Sequence, residues 1–416
     1  MINRKGWASF VIVLALALML AGCGGAVAPS SWAGLVTEDH VLYLAATSEV
    51  VAVGTAEGDR LWTFKSEVSQ PGLFGQSTSV IPVHAAPAVD DGLVFIGSDG
   101  QPKDNGRVRA LSIDDGQERW QFPPAGQAPL GNIFAGLAAG DGVVYCAATD
   151  QVYALDAASG RELWHVSVGS RVWGTPLLAG DRLYVGTLNH QVLALDVAKE
   201  GKLVWKFDEA RGAIAGSPIL DGDTLYIGSF DNTLYALNAS TGQKRWSYVL
   251  QGWLWDGLTV MEDKLYVGDM SGYVQALTVD DERATPVWAQ PVKVAGGVRA
   301  APLYVPAGTD WEESLIVLDD SGDVTALDPG TSELRWVAHA SSGRLLTQPV
   351  WEDGVVIIAT LSGPVQVYGL DIAAVPAAYL QQEVKGSTRA PVALYRDDAV
   401  NNQVVRWHVA PLAKSQ

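Results

Sequence analysis

Cysteine is almost absent. Of 416 residues only Cys23 and Cys146 are cysteines, which excludes a zinc cluster built on several thiolates and a disulfide framework. Positive charge is scarce as well: 28 lysines and arginines stand against 46 aspartates and glutamates, a formal charge of −18 that repels phosphate backbones and anionic headgroups. Nucleic acid and polybasic docking to a membrane are therefore poor partners. The histidines, at positions 40, 84, 165, 190, 339 and 408, are scattered and give no metal-ligand spacing. No H-E-x-x-H, G-x-x-x-x-G-K or G-x-S-x-G occurs, so the usual signatures of zinc proteolysis, nucleotide binding and a nucleophile elbow are missing.

What is present is a turn-rich globular composition, 48% hydrophobic and 18% charged with 44 glycines, enough to build a core. The start reads as an export signal, with Arg4 and Lys5 ahead of an apolar run, Ala8 to Leu20, that is short for a membrane span. It ends in Leu20-Ala21-Gly22-Cys23, which resembles the lipobox of bacterial lipoproteins. The resemblance implies cleavage before Cys23 and acylation of that cysteine, where two or three chains anchor stably. The expected organisation is a signal peptide over 1–22, a lipidated tether over 23–30 and a folded part over 31–410. Gly24 after the cysteine resembles an outer-membrane sorting signal in a two-membrane bacterium. In a one-membrane host the protein would sit on the outer face of the cytoplasmic membrane.

The folded part is repetitive. Trp32 to Phe64 aligns without a gap on Phe134 to Val166 at an offset of 102, with Asp39/Asp141, Tyr43/Tyr145, Gly58/Gly160 and Trp62/Trp164 identical. A tryptophan closes each copy, at Trp62, Trp120, Trp164, Trp205, Trp246, Trp288 and Trp336, and from Trp120 onward the gaps are 44, 41, 41, 42 and 48. A period near forty with four short strands per unit is the signature of propeller blades. The clearest copy, 216–248, divides at Asp221-Gly222-Asp223, Phe230-Asp231-Asn232 and Ser240-Thr241-Gly242 into four strands. The repeated tryptophans read as structural: a large ring between blades buries apolar area and needs one backbone acceptor for its N–H. Asp156, Asp196, Asn238 and Asp328 read as caps of the turn into the last strand. Cys146, inside an apolar strand, reads as a small buried residue.

The expected fold is thus an all-β, eight-bladed β-propeller of four-stranded antiparallel blades. Its eighth copy is the least regular, because thirty-five residues separate Asp371 from Trp407. Either the final strand follows an excursion containing Pro376 to Thr388, or Arg389 to Tyr395 makes an additional strand. Seven blades plus a partial one is the alternative.

The motif LYALN-x-x-TG-x-x-x-W and its variants resemble the PQQ-like repeat shared by quinoprotein dehydrogenases and by the propeller lipoprotein of the outer-membrane β-barrel assembly machinery. The lipobox, the chain length and the lack of other domains resemble the assembly lipoprotein more closely. That resemblance implies an envelope interaction scaffold with a protein partner, no cofactor and no catalytic residue. Recognition of a small molecule or polysaccharide is one alternative and a PQQ-dependent dehydrogenase is another, although the adjacent cysteine pair typical of such dehydrogenases is missing.

In such a blade the chain runs into the innermost strand from the face that also carries the loop between the second and third strands. This leading face is the usual binding surface. Eight equivalent positions just before the innermost strands are Trp32, His84, Phe134, Trp173, Ala215, Trp255, Arg299 and Leu346, so four large aromatics are expected at one mouth of the central channel. Arg171, Arg211, Arg299 and Arg344 lie on the same loops, a local reversal of sign suited to a carboxylate or an acidic strand. In the assembly lipoprotein the partner meets an Arg-Gly in one such loop and an aspartate in the next. Arg211-Gly212 and Asp256 match in placement, without the flanking leucines and with Asp256 one residue out of register.

Overall fold

The computed structural model describes residues 34–46, 49–72, 75–83, 86–98, 106–340, 344–345, 347–352, 354–360, 367–374, 392–393 and 405–409. The signal segment, Cys23, Trp32, His84 and Leu346 lie outside them. Among the described residues no helix is long and apolar enough to cross a membrane.

Eight sheets, each built on four antiparallel strands, follow one another along the described chain, at 34–65, 88–122, 138–167, 177–207, 219–249, 258–293, 303–339 and 350–409, forming an eight-bladed propeller whose blades are numbered in that order. Blade 5 shows the design: Ile219–Asp221, Thr224–Gly228, Thr233–Asn238 and Lys244–Val249 pair in sequence, innermost to outermost. Tight turns need positive φ, supplied in blade 3 by Asp141 at 54° and Gly142 at 74°.

A row of three residues crosses each blade. In blade 5 Tyr226 pairs with Ala236, which pairs with Trp246, and the phenol and indole rings lie 5.8 Å apart. The same row is Tyr43, Ala52, Trp62 in blade 1 and Tyr184, Ala194, Trp205 in blade 4. The alanine of the ALD motif is small because a tryptophan lies across from it. The indole then reaches the next blade, where its N–H meets a backbone carbonyl: Trp62 to Ile113 at 2.7 Å, Trp120 to Ala157 at 2.8 Å, Trp205 to Ala239 at 2.9 Å, Trp246 to Asp280 at 2.8 Å and Trp288 to Pro329 at 3.0 Å. The acceptors sit beside the turn into the last strand. Asn238 and Asp328 hold that turn by accepting the amides of Thr241 at 3.0 Å and Thr331 at 2.8 Å. Gly242 of the same turn has φ 73°, and any Cβ on it would collide with the Trp205 ring.

The core is therefore a ring of inter-blade clusters, one per junction. The ring closes by packing, with Leu42, Leu44, Val51 and Val53 of blade 1 against Val355, Ile357, Ala359 and Val367 of blade 8. Cys146 is fully buried in the cluster between blades 2 and 3, and burial pushes its thiol up to about 12.

Three departures from the repeat have local causes. The wide gap between Trp62 and Trp120 admits an extra hairpin, Glu67–Gly72 with Gly75–Val80. In blade 6 the last strand is split into Ala284–Pro286 and Val292–Lys293, as expected where prolines 286 and 291 offer no N–H to the ladder. At the C-terminal end both expected options occur together: Val392–Ala393 adds a parallel fifth strand to blade 7, and Val405–Val409 completes blade 8. The seven-blade alternative is thereby set aside.

Candidate functional site

The leading loops of blades 5 to 7 are fixed from below by carboxylates on the loops between second and third strands. Asp231 Oδ2 accepts the Arg211 amide at 2.7 Å, Asp269 Oδ2 accepts that of Gly252 at 2.8 Å, and Asp319 Oδ2 that of Gly296 at 3.1 Å. Asp269 and Asp319 are almost wholly buried. Desolvation would raise the Asp231 carboxyl, but the hydrogen bonds it accepts, from the Arg211 amide, the Tyr235 hydroxyl at 2.8 Å and the Thr233 amide at 3.1 Å, hold it below the ordinary range. Close approach also requires Gly212, where a Cβ would strike the backbone of Phe230 and Asp231.

On this clamped surface the channel positions converge. Trp173 of blade 4 and Trp255 of blade 6 stack with centroids 5.7 Å apart and planes 14° from parallel. Between them in sequence order, blade 5 contributes the buried methyl of Ala215. The Arg299 guanidinium of blade 7 lies over the Trp255 ring, 3.7 Å from its centroid. Only 9% of Arg299 is exposed, and desolvation lowers its pKa to about 10 while Asp256 opposes the shift. Two aromatics not singled out in the sequence complete the cluster: Phe230 and Trp253 meet edge-on at 4.4 Å, and each also touches Trp255. The alternation in Trp253-Leu254-Trp255 was the available signal, since Leu254 points into the core and its neighbours do not.

Asp256 is part of the channel wall. Its Oδ1 accepts the Ser217 amide at 2.5 Å, and Ser217 Oγ in turn accepts the Thr175 amide at 3.0 Å, which ties blades 4, 5 and 6 together. Desolvation raises the Asp256 carboxyl above its ordinary value, against the pull of Ser217 and of Arg299.

The four arginines of the leading loops fall into two classes. Arg299 is enclosed beside the channel, whereas Arg171, Arg211 and Arg344 are exposed. Arg171 borders a hollow of about 200 Å³ with Asn132, Phe134 and Thr149. The central cavity itself measures about 280 Å³ and takes wall residues from all eight blades, Phe134, Trp173, Asp256 and Arg299 among them. Among the described residues no group of three histidine, cysteine or acidic side chains is placed to hold a metal ion.

Comparison with known proteins agrees with this architecture. Residues 27–132, 104–252 and 197–394 match the family of outer membrane protein assembly factor BamB. The chain is 31% identical to the serine/threonine-protein kinase AfsK of Streptomyces griseus over 38% of its length and 19% of the kinase. It is 39% identical to quinohemoprotein alcohol dehydrogenase ADH IIB of Pseudomonas putida over 83 residues, 16% of this chain and 11% of the dehydrogenase. With outer membrane protein assembly factor BamB of Moranella endobia it shares 28% identity over 70% of its own length and 60% of that protein. Each match thus spans less than two thirds of the relative. The crystal structure of BamB from Moraxella catarrhalis superposes with a TM-score of 0.60 at 19% identity, covering 80% of this chain and 92% of that one, which shows the shared fold.

Proposed function

Because the chain belongs to the outer membrane protein assembly factor BamB family of PQQ-repeat propellers, we propose that it is an envelope lipoprotein, tethered at Cys23, that serves as a protein-interaction scaffold in outer-membrane β-barrel assembly. On this proposal a signal peptide spans 1–22, a tether 23–30 and the propeller 31–410. On the same proposal the protein acts outside the cytoplasm and acts by binding, a reading supported by the family match over residues 27–394. The observation that carries it is the leading face of blades 5 to 7. There a chain of charge −18 presents Arg211 beside an aromatic cluster on loops already fixed by carboxylates, the half-buried Asp231 and the buried Asp269 and Asp319. Tryptophan and arginine combine large contact area with directional hydrogen bonds, and loops that are ordered in advance lose little entropy on binding.

Crosslinking in the protein's own cells identifies the partner. Arg211→Ala and Trp255→Ala should each weaken the complex by about 2 kcal/mol or more, while Lys264→Ala on the opposite face should cost under ~0.5 kcal/mol. Thermal melting controls for folding. Loss of the partner in the Lys264 variant with both leading-face variants intact would put the surface on the other side of the ring.

A further inference from the structure

The central cavity opens on the leading face and takes Trp173, Asp256 and Arg299 into its wall, whereas the exposed Arg211 lies outside it. Its space of about 280 Å³ exists because small residues such as Ala86 and Ala301 stand at the channel wall. Among the described residues its polar groups are mostly neutral: Thr175, Ser217, Gln348 and Thr347, whose hydroxyl already donates to Ala359, accompany one carboxylate, Asp256, and one guanidinium, Arg299. Those two charges balance, so a ligand carrying net charge would be left without its own counter-charge in a desolvated site. Hydroxyl and amide groups offer both donors and acceptors, which is what a ligand rich in hydroxyls requires.

The aromatic part of the wall narrows the choice. Trp173 and Trp255 stand 5.7 Å apart, whereas holding a flat ring between two indoles takes about 7 Å, twice the contact distance between carbon atoms. A planar heteroaromatic finds no slot there. A puckered ring can instead lay its C–H groups against the Trp173 and Phe134 surfaces that line the cavity and direct its hydroxyls to the polar groups. The volume lies just below the ~300–1,000 Å³ typical of small-molecule pockets, which suits a ligand of one or two sugar rings. We propose that the channel binds a neutral saccharide or cyclic polyol of that size, a role read by direct titration of the purified protein and not by capture of a protein partner.

The test titrates the full-length protein with glucose, galactose, N-acetylglucosamine, maltose and inositol, and in parallel with glucuronate and pyrroloquinoline quinone, while indole fluorescence is followed. At least one of the neutral ligands should give a saturable change. Thr175→Val and Gln348→Ala should weaken that binding roughly tenfold or more, and Lys264→Ala should leave it unchanged. Thr175→Val keeps the side-chain volume and Gln348 is exposed, so neither change threatens the fold, which thermal melting verifies. Three results would overturn the proposal: no response to any neutral sugar, saturation only by glucuronate or pyrroloquinoline quinone, or undiminished sugar binding in both channel variants.

Discussion

The alanine opposite the blade tryptophan, as in blades 1, 4 and 5, and the glycine that the next blade presses against Trp62, Trp120, Trp164 and Trp205 are two halves of one packing unit. They let a single indole serve a cross-strand pair and an inter-blade contact at once. Trp246 is 7% exposed and donates to Asp280 across the junction. Trp246→Ala should therefore cost about 3–5 kcal/mol in denaturant unfolding, by cavity formation and a lost donor. A cost near zero would mean that blades 5 and 6 are held by something else. Asp256 makes a prediction of the opposite kind. Its folded value is raised, so the site favours the native state below about pH 4, where folded and unfolded forms are both protonated, and loses that contribution as pH climbs through the raised value. Asp256→Asn keeps an oxygen for the Ser217 amide and removes the titration. The difference in melting temperature between pH 4 and pH 7 should shrink in this variant, and an unchanged difference would sever Asp256 from the pH response.

At the scale of strands and loops, the carboxylates beneath the leading loops matter more than the loops' own composition. Asp269 is 1% exposed and accepts three amides, those of Gly252, Ser271 and Tyr273. Asp269→Ala should destabilise the protein by about 3 kcal/mol, because buried donors would lose their acceptor. Amide exchange should accelerate first at Gly252 and Trp253, and protection retained there would show that the loop holds itself. The strands of each copy were legible in the sequence because alternation and turn residues act locally, and Asp141-Gly142 needs no distant partner to turn. The C-terminal excursion was legible only as two options, since pairing of Val392–Ala393 with blade 7 depends on a neighbour far away in the chain. The channel was half legible. Spacing placed Trp173, Trp255 and Arg299 on one face, but nothing local distinguishes an arginine stacked on an indole from the exposed Arg211 on an equivalent loop. Phe230 and Trp253 were missed for the same reason: their role comes from meeting each other across two loops of different blades.

For the molecule as a whole, the junction between blades 8 and 1 sets the limits of what the ring tolerates. It is made of side chains such as Leu42, Leu44, Val355 and Ile357, with no peptide continuing from one blade into the other. Cutting the chain between blades 4 and 5 would create a second junction of the same kind. Fragments 1–212 and 213–416, produced together, should co-purify as a one-to-one pair that melts in a single transition, whereas separate or insoluble halves would show that covalent continuity is indispensable. The same seam bears on ancestry. A ring closed, among the described residues, by packing alone can lengthen by copying blades within the gene, and the 102-residue offset that aligns blade 1 on blade 3 is the length of one such two-blade increment.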